Sequence, residues 1–145
     1  MQLWAFEGEW SIERWIEDVR GGRAGRFSGK AVFERGDSGL LYCETGTLQL
    51  DGGVPVTASR RYSWCDGGAG AIDVRFEDGR IFHRFYADEA APSAVHFCAP
   101  DQYRVRYDFA AWPRWEAEWR VRGPRKNYGI RSAYRPAGQT VPNGQ

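Results

Sequence analysis

The sequence predicts an all-β protein, an antiparallel up-and-down β-barrel of about 8–10 strands. Apolar and polar residues alternate with a period of two over ten short segments. Aromatic residues are dense, with seven Trp, seven Tyr and eight Phe, and eighteen Gly and seven Pro supply frequent turns. A sandwich of two sheets is the alternative. The sequence shows no repeat of fixed period, which argues against a propeller or a solenoid.

The ten predicted strands follow one another along the chain after a short helical turn expected at residues 2–7. Each strand is recognised by its alternation of apolar and polar side chains. The last two strands form a C-terminal hairpin around Gly123 and Pro124, which brings the final strand beside the first, near Trp10, and closes the barrel. The strands are expected at residues 10–17, 27–34, 40–50, 54–64, 72–76, 80–86, 94–98, 103–109, 115–122 and 127–134.

Residues typical of tight turns separate these segments. Asp78 and Gly79 form the strongest hairpin signal in the chain, because this pair readily adopts the backbone conformation of a two-residue turn. Gly46 lies inside the third strand and is expected to mark a bulge or a bend.

Length and cysteine content bound the organisation of the protein. A chain of 145 residues is expected to form one domain at residues 1–135, followed by a flexible tail at residues 136–145. The three cysteines, Cys43, Cys65 and Cys98, are odd in number and lack CxxC spacing, which favours reduced thiols and a cytoplasmic location. No signal peptide and no apolar stretch approaching ~20 residues is evident, so no membrane association is expected. We expect a monomer or a weak dimer.

The charge is small overall and uneven along the chain. The formal net charge is +1, but residues 112–135 carry seven basic and two acidic side chains, a net charge of +5. Solvated strand faces account for most of these charges. One alternative function is an interaction module that uses the basic hairpin 120–126, with Arg125 and Lys126 as its rim. The modest total charge argues against a nucleic-acid partner.

Six short motifs, spread over residues 6–135, occur together in this chain. They are Gly8-x-Trp10, Tyr42-x-Glu44-x-Gly46, Arg61-Tyr62-x-Trp64, Asp78-Gly79-Arg80-x-Phe82-His83, His96-x-Cys98-x-x-Asp101-x-Tyr103 and Gly123-Pro124-Arg125-Lys126. In this combination the chain resembles a bacterial family of unknown function for which a lipocalin-like (calycin) barrel is the implied fold. In lipocalins a Gly-x-Trp motif closes one end of the barrel and an arginine from the last strand covers the Trp, a role that the resemblance implies for Arg131 or Arg135. The family implies no settled activity.

Two arginines interrupt the apolar faces that point into the predicted barrel. Arg14 falls in the row of Trp10 and Ile12, and Arg60 falls in the row of Tyr62. A buried arginine is costly unless it is paired. Each is therefore expected to meet either an internal acidic partner or a bound anion, whose two oxygens the planar guanidinium can pair.

The two histidines lie on the sixth and seventh strands. A symmetric hairpin would place His83 directly opposite His96, with Cys98 on the same face. Ile81 and Phe85 make this face apolar and therefore inward, with Phe82 on the opposite face. Two imidazoles and a thiol match the ligands of Zn²⁺, but structural and hydrogen-bonding roles need no metal, and no cofactor is expected.

These observations predict a small-molecule-binding barrel for an anionic or hydrophobic-acid ligand. A small enzyme that uses His83 or His96 as a base in the same cavity is the first alternative. Binding is the expectation rather than catalysis, because no nucleophile or phosphate-loop motif is present. The expected ligand-binding residues are Arg14, Arg60, Tyr62, His83, His96, Tyr103, Tyr107 and Tyr128.

Overall fold

Ten antiparallel strands form one curled sheet in the computed structural model, which describes residues 1–138. The strand order is β6-β5-β4-β3-β2-β1-β10-β9-β8-β7, so the last strand lies beside the first, with Trp10 opposite Pro136. A short 3-10 helix, Leu3–Phe6, precedes the sheet. The antiparallel barrel is confirmed. The strands are β1 (Gly8–Asp18), β2 (Arg23–Arg35), β3 (Gly39–Leu50), β4 (Val56–Gly68), β5 (Ala71–Arg75), β6 (Ile81–Tyr86), β7 (Ser93–Cys98), β8 (Asp101–Asp108), β9 (Trp115–Gly123) and β10 (Lys126–Pro136).

The barrel is nearly closed, with a seam between β6 and β7. These two strands end the sheet and have no hydrogen-bonded ladder between them. The segment before β7 bonds to the β8 side instead, because Tyr107 N donates to Pro92 O at 2.9 Å and Phe109 N donates to Ala90 O at 3.2 Å. The predicted hairpin of the sixth and seventh strands is therefore wrong.

An aromatic plug closes the end of the barrel beside the 3-10 helix. Phe6 is fully buried, and Trp10 donates from Nε1 to the Phe6 carbonyl oxygen at 2.8 Å. This packing removes a large apolar area from water at the place where a barrel would otherwise be open. Five rings lie with their centroids 5.1–5.9 Å from that of Phe6, and they belong to Phe33, Trp64, Phe109, Trp112 and Trp115.

No arginine of the last strand covers Trp10. The ring of Trp10 packs instead on Trp112, with 5.6 Å between centroids. Arg131 lies opposite Trp15 in the β1–β10 register and places its guanidinium 4.2 Å from the Trp15 ring on the outer face. Arg135 is exposed. The arginine implied by the resemblance is thus replaced by aromatic packing, because residues of this parity point outward.

Gly46 allows two strands to approach closely rather than forming a bulge. The β2–β3 register is continuous, and Gly46 lies opposite Gly29. A Cβ at either position would lie 2.7 Å from the Cα of the other glycine. Of the two expectations for Gly46, the bulge is therefore wrong.

A bulge does occur in β6 and changes which side chains point inward. Arg75 lies opposite Ile81 while Val74 lies opposite His83, which leaves Phe82 as the extra residue. Consequently Phe82 and His83 both line the interior, and Ile81 is exposed. The expectation that Ile81 points inward and Phe82 outward is wrong, because a bulge breaks the period of two.

The described residues contain no helix with the length and hydrophobicity required to span a membrane. The tail predicted at residues 136–145 overlaps the end of β10 at Pro136, and residues 139–145 lie outside the described part of the chain.

Candidate functional site

The barrel encloses a cavity of about 390 Å³ between the aromatic plug and the opposite, open end. The eight side chains expected from the sequence to face a ligand all line this one cavity. They come from β1, β4, β6, β7, β8 and β10. They are brought together because inward-facing residues of every strand in a small barrel converge on the same interior.

One row of side chains crosses four strands near the open end. Tyr128 lies opposite Val121, Val121 opposite Tyr103, and Tyr103 opposite His96. The four positions belong to β10, β9, β8 and β7 in that order, so the row ends at the seam. This row places two phenol groups and one imidazole on the part of the cavity wall that lies near the open end.

Arg14 and Glu44 form a bidentate ion pair inside the barrel. Arg14 donates from Nη1 to Glu44 Oε2 at 2.5 Å and from Nη2 to Glu44 Oε1 at 2.9 Å, and from Nε to Ser132 Oγ at 2.7 Å. Tyr42 donates its hydroxyl to Glu44 Oε1, and the Tyr42 and Tyr134 hydroxyls lie 2.9 Å apart. The alternative of an internal acidic partner therefore applies to Arg14.

Hydrogen bonding keeps this pair charged despite its burial. Burial alone would lower the pKa of Arg14, but the hydrogen bond to Glu44 raises it above the usual range. Burial alone would raise the pKa of Glu44, but the hydrogen bond and the charge of Arg14 lower it. Burial is also the main reason that the pKa of Tyr42 and of Tyr134 is raised, so both phenols stay neutral at pH 7.

Arg60 supplies a positive charge that Glu44 does not fully neutralise. Its Nε lies 3.5 Å from Glu44 Oε2, a carboxylate already engaged by the guanidinium of Arg14. The Arg60 side chain is 51% exposed and lines the cavity. Apart from the two histidines, the charged residues that line the cavity are Arg14, Glu44 and Arg60. The net charge of these three side chains is +1.

His83 is buried and neutral. Its Nε2 lies 2.8 Å from the Tyr107 hydroxyl, and its Nδ1 has no hydrogen-bond partner among the described residues. Burial, with a smaller contribution from His96, lowers the pKa of His83 to about 3. At pH 7 the ring is therefore an uncharged wall residue, and acid–base work near neutral pH does not suit it.

His83 does not lie opposite His96 and Cys98 in a hairpin, contrary to the prediction from the sequence. His83 lies opposite Val74 on β5, whereas His96 lies opposite Tyr103 on β8, because the two histidines are on opposite sides of the seam. Cys98 lines the cavity at its open end but is exposed. Within residues 1–138, no group of three or more His, Cys, Asp or Glu is arranged to hold a metal.

The predicted rim residues differ in their contacts. Lys126 Nζ lies 2.9 Å from Asp101 Oδ2, and this hydrogen bond raises the pKa of Lys126 to about 12. Arg125 is exposed in the turn between β9 and β10. Lys126 is therefore already paired, and only Arg125 presents an unmatched charge in this turn among the described contacts.

Sequence reasoning missed Glu44 and the aromatic wall. Glu44 lies two residues from Tyr42 in a predicted strand and so shares its face, and a buried arginine requires a partner. These two signals would have identified it. Phe82 stacks on Trp119 with 4.9 Å between centroids and on Phe76 with 4.6 Å. Only the bulge places Phe82 there.

Comparisons with known proteins identify the family of this chain and one solved structure with a similar fold. The matching family model is described as a family of unknown function, DUF6314, and covers residues 6–136. An S-type phycobiliprotein lyase, CPES, from Guillardia theta is similar in structure, with a TM-score of 0.67, 8% identity, and coverage of 97% of this chain and 95% of the lyase. A putative AttH protein from Nitrosomonas europaea matches with a TM-score of 0.28 and 10% identity over 87% of this chain and 48% of that protein. No curated protein matches the sequence.

Proposed function

The chain belongs to the DUF6314 family of unknown function, and we propose that it binds a small molecule with an apolar body and a carboxylate or similar anionic group. The cavity of about 390 Å³ carries this proposal, because it lies within the range of small-molecule sites, roughly 300–1,000 Å³. Its volume favours a compact ligand. The proposal concerns binding and not lyase chemistry, because at 8% identity the likeness to the phycobiliprotein lyase concerns the fold.

Arg60 is the proposed anchor for the anionic group. Arg14 is satisfied by Glu44, Ser132 and Tyr134, so it has no donors free for a ligand. Arg60 is partly solvated and holds a single long contact with Glu44. Its planar fork suits two ligand oxygens, and the net charge of +1 in the lining attracts an anion.

The aromatic wall is the proposed contact for the apolar body. Phe76, Phe82 and Trp119 form a continuous stack, and the His96 ring lies 5.2 Å from that of Phe82 in an edge-on orientation. Flat apolar surfaces of this kind bind rings and aliphatic chains through burial of area. The anion and the apolar body would thus occupy different parts of one cavity.

A matched pair of ligands and a matched pair of variants test this function. We expect 2-naphthoate to quench the tryptophan fluorescence of the protein and to bind more tightly than the neutral 2-naphthylmethanol. Arg60→Gln should reduce this preference by roughly 3- to 10-fold, less than the full effect of a charged hydrogen bond, because Arg60 is half exposed and solvent screens its charge. Arg61→Gln is the control, since Arg61 is exposed on the outer face of the same strand.

Equal affinity for the acid and the alcohol in the wild type would contradict the anionic preference. Absence of binding for both compounds, together with no co-purified small molecule in native mass spectrometry, would contradict the binding function itself. An equal loss in the Arg60 and Arg61 variants would remove Arg60 as the anchor.

A further inference from the structure

The outer face of the barrel near the seam exposes apolar side chains that no part of residues 1–138 covers. Val95 and Phe97 are 51% and 67% exposed and point outward from β7, the last strand of the sheet. On β8 they lie opposite Arg104 and Gln102 respectively. A large apolar side chain is rarely exposed on an edge strand, because such edges promote association with other chains.

Arginines without acidic partners adjoin these apolar side chains. Arg104 lies directly opposite Arg120 across the β8–β9 ladder, and Gln102 lies opposite Arg122. Like charges placed opposite each other destabilise a sheet. Among the described residues, no carboxylate lies within 4.0 Å of Arg104, Arg120 or Arg122. Arg120 donates to the neutral side chain of Asn127, with 3.0 Å between Nη2 and Oδ1.

Some arginines on the outer faces of other strands do have acidic partners. Arg26 pairs with Glu13 at 2.7 Å, and Arg84 pairs with Asp73 at 2.6 Å. One step further from the open end on the same ladder, Arg106 lies opposite Glu118. Other exposed arginines, such as Arg61, also have no carboxylate of residues 1–138 within 4.0 Å, so this surface is distinguished by the clustering of Arg104, Arg120 and Arg122. Together with Gln102, they surround a recess of about 120 Å³.

We propose that Val95, Phe97, Arg104, Arg120 and Arg122, called here the outer patch, form a docking surface for an acidic polypeptide segment that carries an apolar side chain. Carboxylates of the segment would pair with the arginines, and its apolar side chain would pack on Phe97. Aromatic residues and arginine are the residue types enriched at protein interfaces and at their strongest contacts. This surface lies outside the cavity and does not depend on the proposed ligand.

Charge and composition favour a protein partner over a nucleic acid. The net charge of the chain is only +1, and nucleic-acid interfaces are strongly positive. The patch has one aromatic ring, whereas single-stranded nucleic acids are held by several stacked rings. Val95 offers an aliphatic surface that suits an apolar side chain better than a base. The surface also differs from the hairpin 120–126 predicted from sequence, because the register adds β7 and β8.

A labelled peptide provides the test. The probe is a fluorescein-labelled 12-residue peptide of alternating Glu and Leu, measured by fluorescence anisotropy against the full chain. We expect saturable binding that weakens with added salt. Binding should fall at least 10-fold in the double variant Arg104→Glu/Arg122→Glu and in Phe97→Ser. The same peptide with Lys in place of Glu should not bind.

Two exposed positions elsewhere serve as controls. Arg61→Glu and Leu41→Ser alter an arginine and a 56%-exposed apolar residue on the outer faces of β4 and β3, and we expect them to leave binding unchanged. Equal losses in patch and control variants, or no binding of the acidic peptide, would overturn the proposal.

Other occupants give distinct results. Tighter binding of a 12-nucleotide oligo-dT than of the acidic peptide would assign the patch to nucleic acid and overturn the proposal. Self-association in sedimentation experiments that Arg104→Glu abolishes would assign it to a second copy of the chain, with the same consequence. Thermal unfolding of each variant checks that these exposed substitutions leave the fold intact.

Discussion

The Arg14–Glu44 pair is the residue-scale feature on which the interior depends. Both side chains are buried, and each of their charges is satisfied by the other and by neighbouring hydroxyls. Charges taken out of water are tolerated only while such partners remain. The pair therefore fixes β1 and β3 at the centre of the barrel wall and leaves Arg60 as the available cation.

Glu44→Gln is expected to destabilise the protein strongly. The substitution keeps the volume but leaves the charge of Arg14 buried without a counter-charge, which costs about 3–5 kcal/mol in the free energy of unfolding. Urea denaturation at pH 7 measures it. Glu13→Gln is the control, because it breaks a solvated ion pair with Arg26 and should cost at most about 1 kcal/mol. Similar losses in both variants would contradict a special role for the buried pair.

His83 makes the stability of the protein depend on pH between 7 and 5. The unfolded chain binds a proton at this ring below about pH 6.5, while the folded chain does so only near pH 3. Stability is therefore complete above pH 6.5 and falls as the pH decreases. By linkage, the loss between pH 7 and pH 5 is about 2 kcal/mol. Glu44 adds to acid sensitivity only at lower pH, because its pKa is lowered from 4.5.

The variant His83→Gln removes this titration while keeping a hydrogen-bonding group beside Tyr107. Between pH 7 and pH 5, its free energy of unfolding should fall by about 2 kcal/mol less than that of the wild type. Urea denaturation at the two pH values compares them. Parallel pH dependences would show that His83 is protonated in the folded state.

At the scale of elements, the seam between β6 and β7 is the least constrained part of the wall. Every other pair of neighbouring strands is joined by a ladder, whereas β6 and β7 are each bonded on one side. Phe76 and Phe82 on one side and His96 on the other close the gap by ring contacts of 5.2–5.8 Å. Side-chain packing replaces hydrogen bonds there, so the seam is the natural place for the wall to open.

Amide hydrogen exchange should reveal this difference. We expect the amides of β7 (Ser93–Cys98) to exchange at least 10-fold faster under native conditions than those of β1 (Gly8–Asp18), which is bonded on both sides. Native-state exchange followed by mass spectrometry or NMR measures the two strands in one sample. Equal protection would mean that β6 and β7 pair in solution.

At the scale of the molecule, the two ends of the barrel have opposite properties. The end beside the 3-10 helix is filled by the rings around Phe6, while the other end leads into the cavity. The arginines of the outer patch lie toward the open end, and the acidic side chains Asp108 and Glu116 lie opposite each other toward the plug. Ligand binding inside and partner docking outside would therefore both use the open half of the barrel, on different faces.

The sequence alone determined the class of fold, the position of the last strand beside the first and the inward position of the polar residues. It did so because burial of one face imposes a period of two that is visible locally, and because turn residues mark each reversal. Arg14, Arg60, His83 and His96 all lie where the alternation predicted them.

The tertiary structure alone decided which of these side chains meet. Glu44 reaches Arg14 although their strands are not neighbours, and the bulge at Phe82 turns two consecutive side chains inward. The seam separates His83 from His96, whose pairing was predicted from a symmetric hairpin. Such contacts depend on barrel closure and on register, and a one-residue shift of register changes the face of every side chain. Alternation along one strand carries no information about either.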